Sequence, residues 1–192
     1  MNGIEKSNRR VEMSAILSDA VYNYEQDYTG GGDNPIGEAK AVLDKAGINE
    51  KSYKIVDSMY DRGSGVAAIA VYDDLTKETY ISYAGTNMGA DGHKDPIVDL
   101  AIALNDTLYL KEKNKPALDF YDRVEANGHY ISTTTGHSYG VFQSGRVALE
   151  RQVPFNSEHY NRGVKKDEKN KNNFMVNDRR SYTYDSIGIE WM

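Results

Sequence analysis

Apolar residues recur at helical spacing through Val11, Ala15, Leu17, Ala20, Val21 and Tyr24, with Ser18 and Asp19 assigned to the wet side. This pattern predicts an amphipathic helix from Arg9 to Tyr28, broken by the run Thr29-Gly30-Gly31-Gly32-Asp33-Asn34-Pro35. A second helix is expected from Ile36 to Ala46, stopped by Gly47. Residues 48–65 read as a polar connection with short local structure. The pattern then changes period. Gly65–Tyr72 is an apolar run of strand length, Asp73-Asp74 makes a turn, and Glu78–Gly85 is a second strand, together an antiparallel hairpin. Helical periodicity returns in Ile97, Leu100, Ala101, Leu104 and Leu108, and again in Ala117, Leu118, Tyr121, Val124 and Glu125, ending at Gly128. A β-branched strand, Tyr130–Thr134, leads through a glycine-bounded turn into a helix carrying Val141, Phe142, Val147 and Leu149.

Strands alternating with helices of this length predict an α/β fold, a three-layer sandwich whose mostly parallel sheet is covered on both faces. At 192 residues the chain suits one domain spanning 1–192, with no internal repeat. Residues 164–173 are almost entirely Lys, Asp, Glu and Asn, and read as an exposed polar connector. The last strand candidate is Arg180–Tyr184.

The formal charge of -6 argues against a nucleic acid or an anionic membrane held by bulk electrostatics. The absence of cysteine excludes disulfides, thiolate zinc sites and thiol catalysis; no metal or other cofactor is expected. No apolar run reaches the length of a signal peptide or of the roughly 18 residues of a membrane span. The expectation is therefore no transmembrane segment, at most transient contact with a membrane surface, and a location either cytoplasmic or reached by signal-independent export. Fifteen tyrosines against four phenylalanines favour a core with half-wet positions over a surface gripping an amphipathic ligand.

Gly136-His137-Ser138-Tyr139-Gly140 has the G-x-S-x-G spacing of a nucleophile elbow, with a β-branched strand before it and an apolar helix after it. That context makes the motif informative. A serine on a sharp strand-to-helix turn is exposed at the sheet edge, small residues two positions either side let the backbone double back, and the helix N-terminus favours an oxyanion.

Three further segments carry a resemblance. Tyr83-Ala84-Gly85-Thr86-Asn87 ends a strand, Lys94-Asp95-Pro96-Ile97-Val98-Asp99-Leu100 opens a helix, and Pro154-Phe155-Asn156-Ser157 follows the elbow. With the elbow between them, these segments make residues 10–160 resemble the class 3 lipases and their bacterial phospholipase A1-like relatives. The resemblance implies an α/β-hydrolase-like domain, reduced in size, that cleaves lipid or other acyl esters. It implies Ser138 as nucleophile and an oxyanion hole formed by Thr86 and Tyr139. Asp95 would anchor the helix behind that hole, although helix N-terminal charge alone accounts for Asp95 and Asp99. Val141 stands where the family has a second glycine, and Tyr139 where it has leucine.

The order of the triad in this fold is Ser, then acid, then His. Asp185 matches the family's acid position, but only His159 lies beyond Ser138, and the chain stops at Met192. Four explanations stand: a shortened and catalytically inactive relative, or a histidine taken from His159, from His93 beside Thr86, or from a partner chain. His129 opens its strand at the far end from the elbow and is an unlikely base; His137 is read as structural. The leading expectation is a serine ester hydrolase using Ser138, Asp185 and His159; the alternative is a hydrolase-fold binding or structural protein without a working histidine.

Overall fold

The computed structural model describes residues 1–85, 107–137 and 139–158. Helix α1 spans Gly3–Gly30, six residues further toward the N-terminus than the apolar spacing predicts. A capping box accounts for the extension: the Asn2 side chain accepts from the Glu5 amide at 2.9 Å, and the Glu5 carboxylate accepts from the Asn2 amide at 2.8 Å. The helix stops at Gly31, whose φ of 79° is a left-handed conformation that glycine adopts without strain. Helix α2 (Pro35–Lys45) begins at Asn34, which caps the Gly37 amide, and leans on α1.

A single 3-10 turn (Glu50–Ser52) leads into β1 (Tyr53–Asp61), where the sequence reading expected a polar connection. Its pattern is obscured because β1 is an edge strand, half-exposed along most of its length and bulged between Ile55 and Asp57. Strands β2 (Val66–Asp73) and β3 (Glu78–Tyr83) form the expected hairpin. Helix α3 (Thr107–Ala126) starts ten residues before the Ala117–Glu125 spacing predicts, with Pro116 inside it. Residues 97–106 lie outside the described residues. Strand β4 runs Ile131–His137, α4 runs Tyr139–Arg151, and β5 runs Phe155–Glu158.

The five strands lie side by side in chain order. β1–β2 and β2–β3 are antiparallel, whereas β3–β4 and β4–β5 are parallel. The described sheet is therefore mixed, not mostly parallel. The two tight connections at its start can only reverse direction, and the parallel pairings begin where helices cross over. Helices cover both faces, as expected for an α/β domain. On one face, Met13, Leu17, Val21 and Tyr24 of α1 and Leu43 of α2 pack with Ile69, Val71 and Tyr80. On the other, Ala117, Phe120, Tyr121 and Val124 of α3 and Val147 of α4 pack with Ala68, Ala70, Ile81 and Tyr83.

The tyrosines fill this core with their hydroxyls partnered. Tyr83 is fully buried and donates to the Ala117 carbonyl at 3.0 Å, and burial pushes its pKa well up. Tyr53 donates to Asp44 at 3.2 Å, and burial, followed by the Asp44 charge, pushes it up to about 12. Both are buried outright rather than half-wet, with the hydroxyl satisfied inside the protein.

Ion pairs clamp the start of α1 to the β2–β3 turn. Asp73 is fully buried and accepts from Arg9 Nε at 3.0 Å, the Leu75 amide at 3.1 Å and Thr76 Oγ1 at 3.2 Å. Glu78 faces Arg10 in a two-pronged pair. Burial alone would raise Glu78, but the Arg10 hydrogen bonds and charge hold it below the usual glutamate range.

Arg9→Met removes the cation from a buried carboxylate, so urea unfolding is expected to show a loss of about 3 kcal/mol. An unchanged midpoint would mean that the turn's own hydrogen bonds suffice for Asp73. The depressed Glu78 contributes stability that is present above the unfolded glutamate value, about 4.3, and is lost as pH falls through its lower folded value. Glu78→Gln is therefore expected to flatten the acid limb of a stability–pH curve and to leave its shape above pH about 6 unchanged.

Candidate functional site

Because β3, β4 and β5 are parallel neighbours, their C-terminal ends share one edge of the sheet. Tyr83 is the register partner of Gly136, and His137 that of Glu158. Open α/β sheets place their ligands at this edge. Strand β4 ends at His137 and α4 begins at Tyr139, so one residue, Ser138, joins strand to helix.

The two glycines of the motif explain how the chain turns here. A Cβ on Gly136 would overlap the backbone of Gly140, and one on Gly140 would overlap the Tyr83 carbonyl oxygen and lie 3.0 Å from the Ala84 carbonyl group. The start of α4 therefore folds back onto its own strand and presses against the end of β3. Only glycine at both positions permits that approach. The helix places no acidic residue in its first turn and Arg151 in its last, matching its dipole at the C-terminal end.

Val141, at the position of the family's second glycine, does not enter this contact. It points toward Ala148 and Val153 in a small separate cluster. Tyr139, the expected second oxyanion residue, is the first residue of α4; its half-buried ring stacks on Phe142 with centroids 5.7 Å apart.

Ser138, Thr86, Asp185 and His159 lie outside the described residues, as do His93, Asp95, Asp99, the 164–173 connector and the 180–184 strand candidate. The described chain reaches the residue before three of them: Gly85 before Thr86, His137 before Ser138, and Glu158 before His159.

Helix α1 supplies the floor on the other face. Its Tyr22 hydroxyl lies 3.0 Å from His137 Nδ1, with the rings edge to face at 5.7 Å. His137 is thus held against α1, in agreement with its structural reading. His129 precedes β4 at the opposite end of the sheet, its ring 6.5 Å from that of Tyr72.

Ser18, assigned to the wet side from spacing, is buried and lies 3.5 Å from Thr135 of β4 through their hydroxyls. Ser14 of α1, Ser82 of β3 and Thr133 of β4 are buried as well. Sequence reasoning also missed Glu25, which is fully buried one turn beyond Tyr22. The spacing Ser14, Ser18, Val21, Glu25 carries the signal, since residues three and four apart share a helix face. Polar identity hid it.

Gly140→Ala puts a methyl into the Tyr83 carbonyl, so the end of β3 and the start of α4 must separate. The expected outcome is a loss of about 2–4 kcal/mol in chemical denaturation, whereas Gly30→Ala at the end of α1, where a Cβ meets nothing within 4 Å, stays within about 1 kcal/mol of wild type. Equal effects at the two glycines would remove the close approach from the account of this turn.

No protein-family model matches the chain, and comparison with curated proteins and with solved structures likewise finds no match.

Proposed function

We propose that the chain is a serine ester hydrolase with a reduced α/β-hydrolase-like fold, acting on lipid or other acyl esters through Ser138. The supporting observation is the glycine-clamped strand-to-helix turn at the shared C-terminal edge of three parallel strands. A turn this tight holds the connecting residue at a helix N-terminus. There a serine oxygen can attack a carbonyl carbon while backbone amides receive the developing oxyanion.

In this reading Ser138 is the nucleophile, and the amides of Thr86 and Tyr139 stabilise the tetrahedral oxyanion. His159 accepts the serine proton and returns it to the leaving alcohol, with Asp185 as the acid that orients it. His159 is preferred over His93 because it directly follows Glu158, the register partner of His137. His93 falls in the connection after β3. Thr86 directly follows Gly85 at the end of the strand that Gly140 touches. The opposing reading, a binding or structural protein on the same scaffold, predicts an inert serine.

A fluorophosphonate probe separates the two, because it labels only an activated serine. The expected result is labelling and slow hydrolysis of short acyl esters, both abolished by Ser138→Ala. His159→Ala is expected to lower kcat/KM by at least 10²-fold and His93→Ala to leave it nearly unchanged. The turn and oxyanion donors without a histidine retain about 10³-fold over water. Wild-type protein that neither labels nor turns over short esters overturns the enzyme reading in favour of the scaffold.

A further inference from the structure

Two carboxamides are buried, one on α3 and one on α4. Asn114 and Gln143 are each 1% exposed. Among the described residues, neither end of the Asn114 amide has a hydrogen-bond partner, and neither does Gln143 Oε1.

Three contacts place them. Lys113 Nζ donates to the Gly63 carbonyl at 3.2 Å, and Arg123 Nε meets Asp57 at 2.8 Å. Helix α3 therefore descends from the β1–β2 turn, and its early residues lie at the same end of the sheet as the C-terminus of β3. Helix α4 descends alongside, and Arg151 of α4 pairs with Asp122 of α3 at 2.7 Å. Eight residues back from each partner of that pair are Gln143 and Asn114, which puts them at one level.

Helical periodicity also turns both toward the same core cluster. Asn114 shares a helix face with Tyr121, seven residues on, and Gln143 shares one with Val147, four residues on. Tyr121 and Val147 pack in the same core cluster. Tyr83 ties the pair to the elbow: its hydroxyl bonds Ala117, one turn from Asn114, and its carbonyl abuts Gly140, one turn from Gln143.

We propose that Asn114 and Gln143 form a binding site for a neutral hydroxyl group between α3 and α4. A buried amide left without partners costs more than an apolar side chain of the same shape. The guest must both donate and accept, because Asn114 presents N–H and C=O together while Gln143 adds an acceptor. Two uncharged amides provide no charge to balance a carboxylate, a phosphate or an ammonium group, whereas a hydroxyl accepts from the Asn114 N–H and donates to one of the two carbonyl oxygens, and water, with a second O–H, reaches both. The hydroxyl belongs either to an ordered water or to an alcohol.

The test uses the full chain. With a guest in place, Asn114→Leu and Gln143→Met each lower Tm by about 2–5 °C, and the double variant loses less than the sum because both act on one guest. With an empty site, both apolar variants melt at or above wild type, which overturns the proposal. Should either variant fail to fold, the Asn114 side-chain amide signals of the ¹⁵N-labelled wild type decide the matter. A cross-peak from these protons to water identifies water as the guest. A saturable shift on adding glycerol identifies an alcohol. Either result supports the site; neither cross-peak nor saturable shift overturns it.

Discussion

The contact of Gly140 with the Tyr83 and Ala84 carbonyls is the constraint on which the rest of this edge depends. It joins the helix after β4 to the end of the neighbouring strand through backbone alone, and Gly136 folds the same helix back onto β4. Three segments distant in sequence thereby acquire one geometry that no side chain needs to enforce. Val141 can be bulky because it points away from this contact, into the cluster with Ala148 and Val153. The pairing of β5 with β4 then brings Glu158 beside His137 and completes a row of three strand ends.

Helix α1 has a second role besides covering apolar surface. Its first half is anchored by charge, through Arg9 to Asp73 and Arg10 to Glu78. Its middle carries Ser18 against Thr135, and its second half holds His137 through Tyr22. A purely apolar interface would tolerate sliding along the sheet. Hydroxyl and ion-pair contacts are directional, so they fix the helix in one register against β4. The same helix carries Glu25, buried a turn past the strand end. Buried carboxylates are costly unless they are paired, and they concentrate at functional edges.

The chemistry proposed for Ser138 requires little beyond this frame. Acyl transfer needs a nucleophile held at a helix start, donors aimed at the oxyanion and a base within reach. The frame provides the first through glycine packing. In the proposed reading the other two would come from residues that follow β3 and β5 in the chain. The helices of the opposite face add two buried neutral polar groups, Asn114 of α3 and Gln143 of α4.

The amino-acid sequence alone determined the elements whose signals are local. Hydrophobic period, the Gly31 and Gly47 stops, the β2–β3 hairpin and the glycine-serine-glycine turn each depend on residues within a few positions of one another. Sequence also anticipated the structural character of His137 and the position of His129 at the far end of its strand from the elbow. What it missed depends on partners far along the chain. β1 exists because β2 offers it a ladder, and its half-exposed, bulged pattern lacks the alternation that would announce a strand. Ser18 is buried because β4 passes beneath α1, a contact across more than a hundred residues; spacing puts Ser18 and Glu25 on one helix face, but their polar identity hides that this face is buried. The mixed character of the sheet was likewise decided in three dimensions. Tight turns force antiparallel neighbours and helical crossovers allow parallel ones, and strand order follows from which edges find each other during packing.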